Sequence, residues 1–167
     1  MFHLRAPSLE ATHAIAGVVA GMVHAGDIVV LAGDMGAGKT AFTQGFARAL
    51  GVEEPVTSPT FTLVHGYATE RFTLYHADLY RLDRMAEVAD LALGELVADG
   101  GVLLVEWGDA VTGLWGEHLE ITLEADDEHD DVRHVTLRAV GRTWAARWDD
   151  LHQQLQPWLV DLTGTGG

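Results

Sequence analysis

The sequence contains no cysteine, which excludes a disulfide framework, a zinc–thiolate centre and a thiol nucleophile together. Positive charge is scarce as well: 10 Lys and Arg stand against 25 Asp and Glu, a formal net charge of −15. Such a chain repels a nucleic-acid backbone unless its cations gather into a stripe, and they do not. Lysine occurs once, at Lys39. Where Arg serves every other cationic position, a single compact, mobile ammonium marks a place to look. No run of about 18 uncharged apolar residues occurs, so no membrane span is expected. The N-terminal MFHLRAPSLEATHAIAGVV lacks the basic start and continuous apolar stretch of a secretory signal, and a cytoplasmic location is expected. With 4 Pro, 19 Gly and 48% hydrophobic residues in 167, the composition is that of a folded protein with one core, read as a single domain over 1–167 whose Gly-rich end (163–167) is frayed.

Periodicity sets out the elements. Ser8 is placed to cap a helix whose apolar positions Leu9, Ala16, Val19 and Val23 recur at helical spacing and which stops near Gly26. Asp27 to Ala32 is a short apolar run, the mark of a strand buried on both faces. Three glycines interrupt it between Gly33 and Thr40, and a second helix runs from Lys39 to Leu50, ending at Gly51. FTLVHGY (61–67) and FTLYHAD (72–78) read as a hairpin, Arg84 to Val97 as a helix, and VLLVEW (102–107) as another buried strand. HLEITLE (118–124) and VRHVTLR (132–138) form a second hairpin around the acidic turn EADDEHDD (124–131), which reads as solvated. Thr143 to Leu159, with Trp144, Trp148, Leu151, Leu155, Trp158 and Leu159, reads as a C-terminal amphipathic helix whose tryptophans pack into the core. The order predicts an α/β fold: a parallel sheet core flanked by antiparallel edge strands and surrounded by helices.

The chemistry concentrates in Gly33-Asp34-Met35-Gly36-Ala37-Gly38-Lys39-Thr40, which fits G-x-x-x-x-G-K-[ST] with a buried strand before it and a helix after it. It reads as the phosphate loop of a P-loop NTPase rather than an ordinary Gly-rich strand-to-helix turn: glycines let backbone N–H groups turn inward, and the helix N-terminus adds positive potential for the α and β phosphates. Lys39 would reach the β and γ phosphates and the Thr40 hydroxyl would ligate Mg²⁺. A magnesium ion so held calls for a carboxylate, and Glu106, at the carboxyl end of 102–105, stands where an open α/β sheet gathers its ligands; the bland alternative is an exposed acid at a strand end. Asp78, ending FTLYHAD, would orient the attacking water or hold a metal-bound one, although an Asp before a helix is also a common cap. Thr60, in Thr57-Ser58-Pro59-Thr60-Phe61, is a candidate γ-phosphate sensor, or Pro59 simply stiffens the approach to a strand. Guanine readers of this class use N-K-x-D, and with Lys39 committed to the loop no such segment exists, so ATP is expected over GTP.

Four segments in order, GDMGAGKT (33–40), SPTF (58–61), HADLYR (76–81) and VEW (105–107), resemble the TsaE family, small bacterial ATPases needed to make threonylcarbamoyladenosine in tRNA, over roughly residues 5–140. The resemblance implies that Thr40 and Glu106 hold Mg²⁺, that Asp78 is needed for hydrolysis, and that Trp107 lies beside the nucleotide. It also implies two protein partners, TsaD and TsaB, whose complex performs the transfer to tRNA while ATP turnover here resets it, with tRNA met only through that complex. Two other classes stand beside this Mg²⁺-dependent ATPase subunit. One is a small-molecule kinase, in which Arg81 or Arg84 closes over the γ-phosphate. The other is a non-catalytic module whose nucleotide gates a binding surface.

Overall fold

The computed structural model describes residues 1–34, 36–56, 64–78, 93–107 and 116–161, without the side chain of Trp107. The expected helix at 84–97 is described only over its last part, and residues 57–63 and 79–92 of the other segments lie outside the described residues.

Seven strands form one sheet: β1 (Phe2–Ala6), β2 (Ile28–Ala32), β3 (Val64–Ala68), β4 (Thr73–Asp78), β5 (Val102–Trp107), β6 (His118–Ala125) and β7 (Arg133–Val140). Their spatial order is β1-β7-β6-β2-β5-β4-β3. The central four, β6, β2, β5 and β4, run parallel, while β7 and β1 on one side and β3 on the other are antiparallel additions. β2 and β5 are covered on both faces, which is why they read as unbroken apolar runs rather than alternating ones.

One face of the sheet carries α1 (Leu9–Met22) and α2 (Lys39–Ala49). Leu31, Leu74, Leu104, Ile121, Leu123 and Leu137 on this face pack against Ile15, Val19, Phe42 and Phe46 in the main core. Each large side chain so buried contributes about 1.5–3 kcal/mol. Ser8 caps α1 as its position indicated, its Oγ accepting the Ala11 N–H at 3.1 Å. Leu9, expected on the apolar face, is instead 55% exposed, because Ala11, Ile15, Ala16, Val19 and Ala20 form the buried stripe and Leu9 lies off it. On the opposite face Leu103, Val105 and Ala77 meet Leu93 of α3 (Leu93–Ala98), a smaller cluster.

Two features differ from the sequence reading. The N-terminus is a strand, with β1 lying antiparallel to β7 and Leu4 opposite Val135. The stretch 143–159 is not one helix: a 3₁₀ turn (Ala145–Arg147), α4 (Trp148–Gln154) and a second 3₁₀ turn (Gln156–Trp158) follow one another. Pro157 has no N–H for a helical bond and its ring crowds the preceding turn, so α4 stops short of it. The packing reading of this stretch agrees with the structure, since Trp144, Leu151 and Leu155 are fully buried and Trp148 stacks on Phe2 at 4.2 Å between ring centroids. Among the described residues no helix is long and apolar enough to cross a membrane.

Candidate functional site

β2, the middle strand, delivers the chain to the carboxyl end of the parallel strands, and the loop that follows is shaped by its first glycine. Gly33 has φ +143°, and a Cβ there would lie 2.4 Å from the Leu123 carbonyl oxygen of β6, so neither the backbone nor the space admits another residue. The Ala37 N–H donates to the Asp34 carbonyl at 3.0 Å, closing a turn. Gly38 caps α2 without a side-chain hydrogen bond, and the first helical bond runs from the Phe42 N–H to the Gly38 carbonyl at 2.9 Å. The first N–H groups of α2 point toward the loop with the positive end of the helix dipole. Asp34, Gly36 and Thr40 are exposed, while Ala37 is buried as the anchor of the loop. Lys39 folds back across the loop, its Nζ donating to the Gly33 carbonyl at 2.7 Å.

Glu106 is not an exposed strand-end acid. It is 5% exposed, on the face of β5 that looks at α2. The Thr43 hydroxyl lies 3.1 Å from Glu106 Oε1 and 2.9 Å from the Lys39 carbonyl, two acceptors sharing one proton. His76, 1% exposed on β4, places Nε2 3.4 Å from the same Oε1, an ion-pair distance. Burial alone would raise the Glu106 pKa; the His76 imidazole, the Thr43 hydroxyl and the Lys39 ammonium outweigh it and hold the carboxyl below its ordinary value. The result is a buried, ionised carboxylate beside the phosphate loop, a donor suited to a divalent cation.

Asp78 is the Cα partner of Glu106 in the β4–β5 ladder, half-buried and two residues beyond His76. Neighbours in register on parallel strands share a face, so the two carboxyl groups stand at the same end and on the same side of the sheet. The fold thus brings Gly33, Asp34, Gly36, Ala37, Gly38, Lys39 and Thr40 together with Asp78 and Glu106 at the carboxyl ends of β2, β4 and β5. The Trp107 backbone pairs with Ala32. Its side chain, Met35, Thr60, Arg81 and Arg84 lie outside the described residues. On the β6 side of the loop a cavity of ≈ 670 Å³, within the usual small-molecule range of about 300–1,000 Å³, is lined by Gly33, Asp34, Ala37, Leu123, Glu124 and Asp127.

Sequence reasoning missed three residues here. Thr43 carried a faint signal, lying four positions after Lys39 and hence on the same helix face, and His76 lies two before Asp78, hence on the same strand face. Arg133 carried none: its guanidinium Nη2 donates to the Gly36 carbonyl at 3.3 Å from 97 residues away.

Comparison with known proteins bears on this arrangement. The family model described as "Threonylcarbamoyl adenosine biosynthesis protein TsaE" matches residues 6–135. The tRNA threonylcarbamoyladenosine biosynthesis protein TsaE of Bacillus subtilis is 41% identical over 143 residues, covering 85% of this chain and 88% of that protein. The protein of the same name from Streptomyces coelicolor is 41% identical over 133 residues, covering 76% and 89%. The crystal structure of Bacillus subtilis YdiB superposes with a TM-score of 0.73 at 36% identity, covering 90% of this chain and 93% of that one. Sequence and fold agree, and the chain belongs to the TsaE family.

Proposed function

We propose that this protein is an Mg²⁺-dependent ATPase subunit of threonylcarbamoyladenosine synthesis in tRNA, acting in the cytoplasm on a TsaD–TsaB transferase complex. Its family supports the pathway. The observation that carries the ATPase reading is the meeting of the glycine-rich loop and the N-terminus of α2 with the buried Glu106 at the carboxyl ends of β2 and β5.

The loop N–H groups and the α2 dipole would bind the α and β phosphates, which the chain's overall negative charge does not otherwise favour. Lys39 would exchange its bond to the Gly33 carbonyl for a β or γ oxygen, a stronger charge-assisted contact. Thr40, exposed at the first turn of α2, and Glu106 would hold Mg²⁺. When bound, that ion neutralises charge on the β and γ oxygens. Thr43 holds the Glu106 carboxylate by its hydroxyl, with His76 packed 3.4 Å from the same oxygen. Asp78 would orient the attacking water, with Thr60 sensing the γ-phosphate and Trp107 beside the nucleotide. Water would attack the γ phosphorus as its bond to the β–γ bridging oxygen breaks, the water's proton passing to phosphate or solvent, and ADP and inorganic phosphate would leave. The cavity on the β6 side of the loop has room for the nucleoside.

Following the label of γ-labelled Mg·ATP tests this reading. Inorganic phosphate released faster when TsaD and TsaB are added supports it. Label in a metabolite would select a kinase, and ATP binding without turnover in any mixture would select a nucleotide-gated binding module.

A further inference from the structure

Resting on that reading of the phosphate loop, we infer that Arg133, at the start of β7, is a positioning residue that fixes the loop's conformation before nucleotide arrives. Arg133 is the Cα partner of Ala125 on one side and Ala6 on the other, so main-chain ladders already hold its backbone. The side chain is therefore free to serve another purpose. It lies along the outside of the loop: a Cβ built on Gly38 would meet its Nε at 3.3 Å and its Cγ and Cδ at 3.5 Å, and its Nη2 donates to the Gly36 carbonyl. One planar fork thus touches two of the three motif glycines. Its Nη1 donates to the Asp130 and Val132 carbonyls, which orients the guanidinium from the far side.

The bond to Gly36 has a defined mechanical effect. The peptide between Gly36 and Ala37 carries its carbonyl outward to Arg133 and its N–H to the Asp34 carbonyl, so both ends of that plane are held. A glycine-rich loop without such a hold samples other peptide orientations, and each must be frozen out when phosphate binds. Arg133 thus removes that cost in advance. Its charge also offsets part of the −15 that an incoming polyphosphate meets.

The test compares wild type with Arg133→Met, which keeps the aliphatic packing, and Arg133→Lys, which keeps the charge but not the fork. Binding of Mg·ADP is measured calorimetrically, ATP turnover kinetically, amide exchange of Ala37 by NMR, and folding by thermal melt. Arg133→Met is expected to weaken ADP binding about tenfold, to raise KM for ATP in proportion with a much smaller change in kcat, and to speed Ala37 exchange in the free protein. Arg133→Lys is expected to recover only part of the affinity. Unchanged ADP affinity in Arg133→Met, or full recovery by Arg133→Lys, overturns the inference; if the melts show a variant unfolded, Ala37 exchange and ADP binding of the other decide it. Failure of wild type to bind Mg·ADP at all overturns the nucleotide-site reading instead.

Discussion

The C-terminal segment, beyond the part of the chain that the family model matches, is held by a buried ion pair whose removal can be costed. Arg147 places Nη1 2.6 Å and Nη2 3.2 Å from the two oxygens of Asp27, in the turn between α1 and β2. The same guanidinium donates to the Met22 carbonyl at 2.8 Å and the Thr143 carbonyl at 3.1 Å, and lies 3.9 Å over the Trp144 ring. The Arg147 and Asp27 side chains are 11% and 4% exposed, so this is not a solvent-screened surface pair. Removing one partner of a buried pair costs about 3–5 kcal/mol, mostly for the charge left behind. Asp27 keeps one bond, from the His24 N–H at 2.6 Å, which places Arg147→Met near the lower end, about 3 kcal/mol. For a chain of this size that is a fall in Tm of about 9 °C. Urea unfolding of wild type, Arg147→Met, Asp27→Asn and the double variant would measure it, and the double variant should lose clearly less than the two singles together. A loss below about 1 kcal/mol for Arg147→Met, or strict additivity, would refute the argument that this contact anchors the segment.

At Gly33, alanine drives a Cβ to 2.4 Å from the Leu123 carbonyl, so Gly33→Ala is expected to cost about 2–3 kcal/mol and to weaken nucleotide binding; unfolding and ADP titration check both. Gly45→Ala sets two effects against each other: helix propensity gains about 1 kcal/mol, but the new Cβ meets the His13 Cα of α1 at 2.7 Å. Overpacking of backbone costs about 1–3 kcal/mol, so net destabilisation is expected, and a stabilised variant would contradict the close approach of α1 and α2. Asp126, whose carboxylate accepts from His134 at 2.7 Å and from the Glu128 and His129 amides at 3.0 Å, has its pKa lowered from 3.8 to about 2. A lowered folded-state pKa means that its contribution is complete above the ordinary value and lost as pH falls through about 2. An NMR titration should find that midpoint and see it rise in His134→Ala; an ordinary midpoint in wild type would remove the His134 contact as its cause.

What could be read in advance were the features whose causes are local. The run Asp27 to Ala32, the glycines after it and the helix that follows are a strand, a turn and a cap within a few residues of one another, and the structure has them there. The same holds for Val102 to Trp107 and for the hairpin of β6 and β7. What escaped depends on partners remote in sequence. β1 has an alternating pattern in Phe2, Leu4 and Ala6, but a five-residue strand is defined by partners some 130 or more positions later, β7 on one side and Leu159 and Val160 on the other. Leu9 has the spacing of a core residue and not the orientation, since which side of a helix is buried is fixed by its neighbours. Glu106 was legible as a strand-end acid. Its burial and its contacts with Thr43 and His76 were not, because they arise from α2 and β4 folding onto the same face of β5.

Lys39 and Glu106 are proposed to make one nucleotide-hydrolysing site that works on the transferase complex. This is tested most directly by phosphate release from Mg·ATP in the presence of TsaD and TsaB, measured for wild type, Lys39→Ala and Glu106→Gln. Turnover stimulated by the partners is expected in wild type, with a loss of at least about a hundredfold in each variant, since Lys39→Ala removes the cation that would act on the transferring phosphate and Glu106→Gln the carboxylate that would hold Mg²⁺. Wild-type turnover that survives Glu106→Gln, or that the partners leave unchanged, would contradict it.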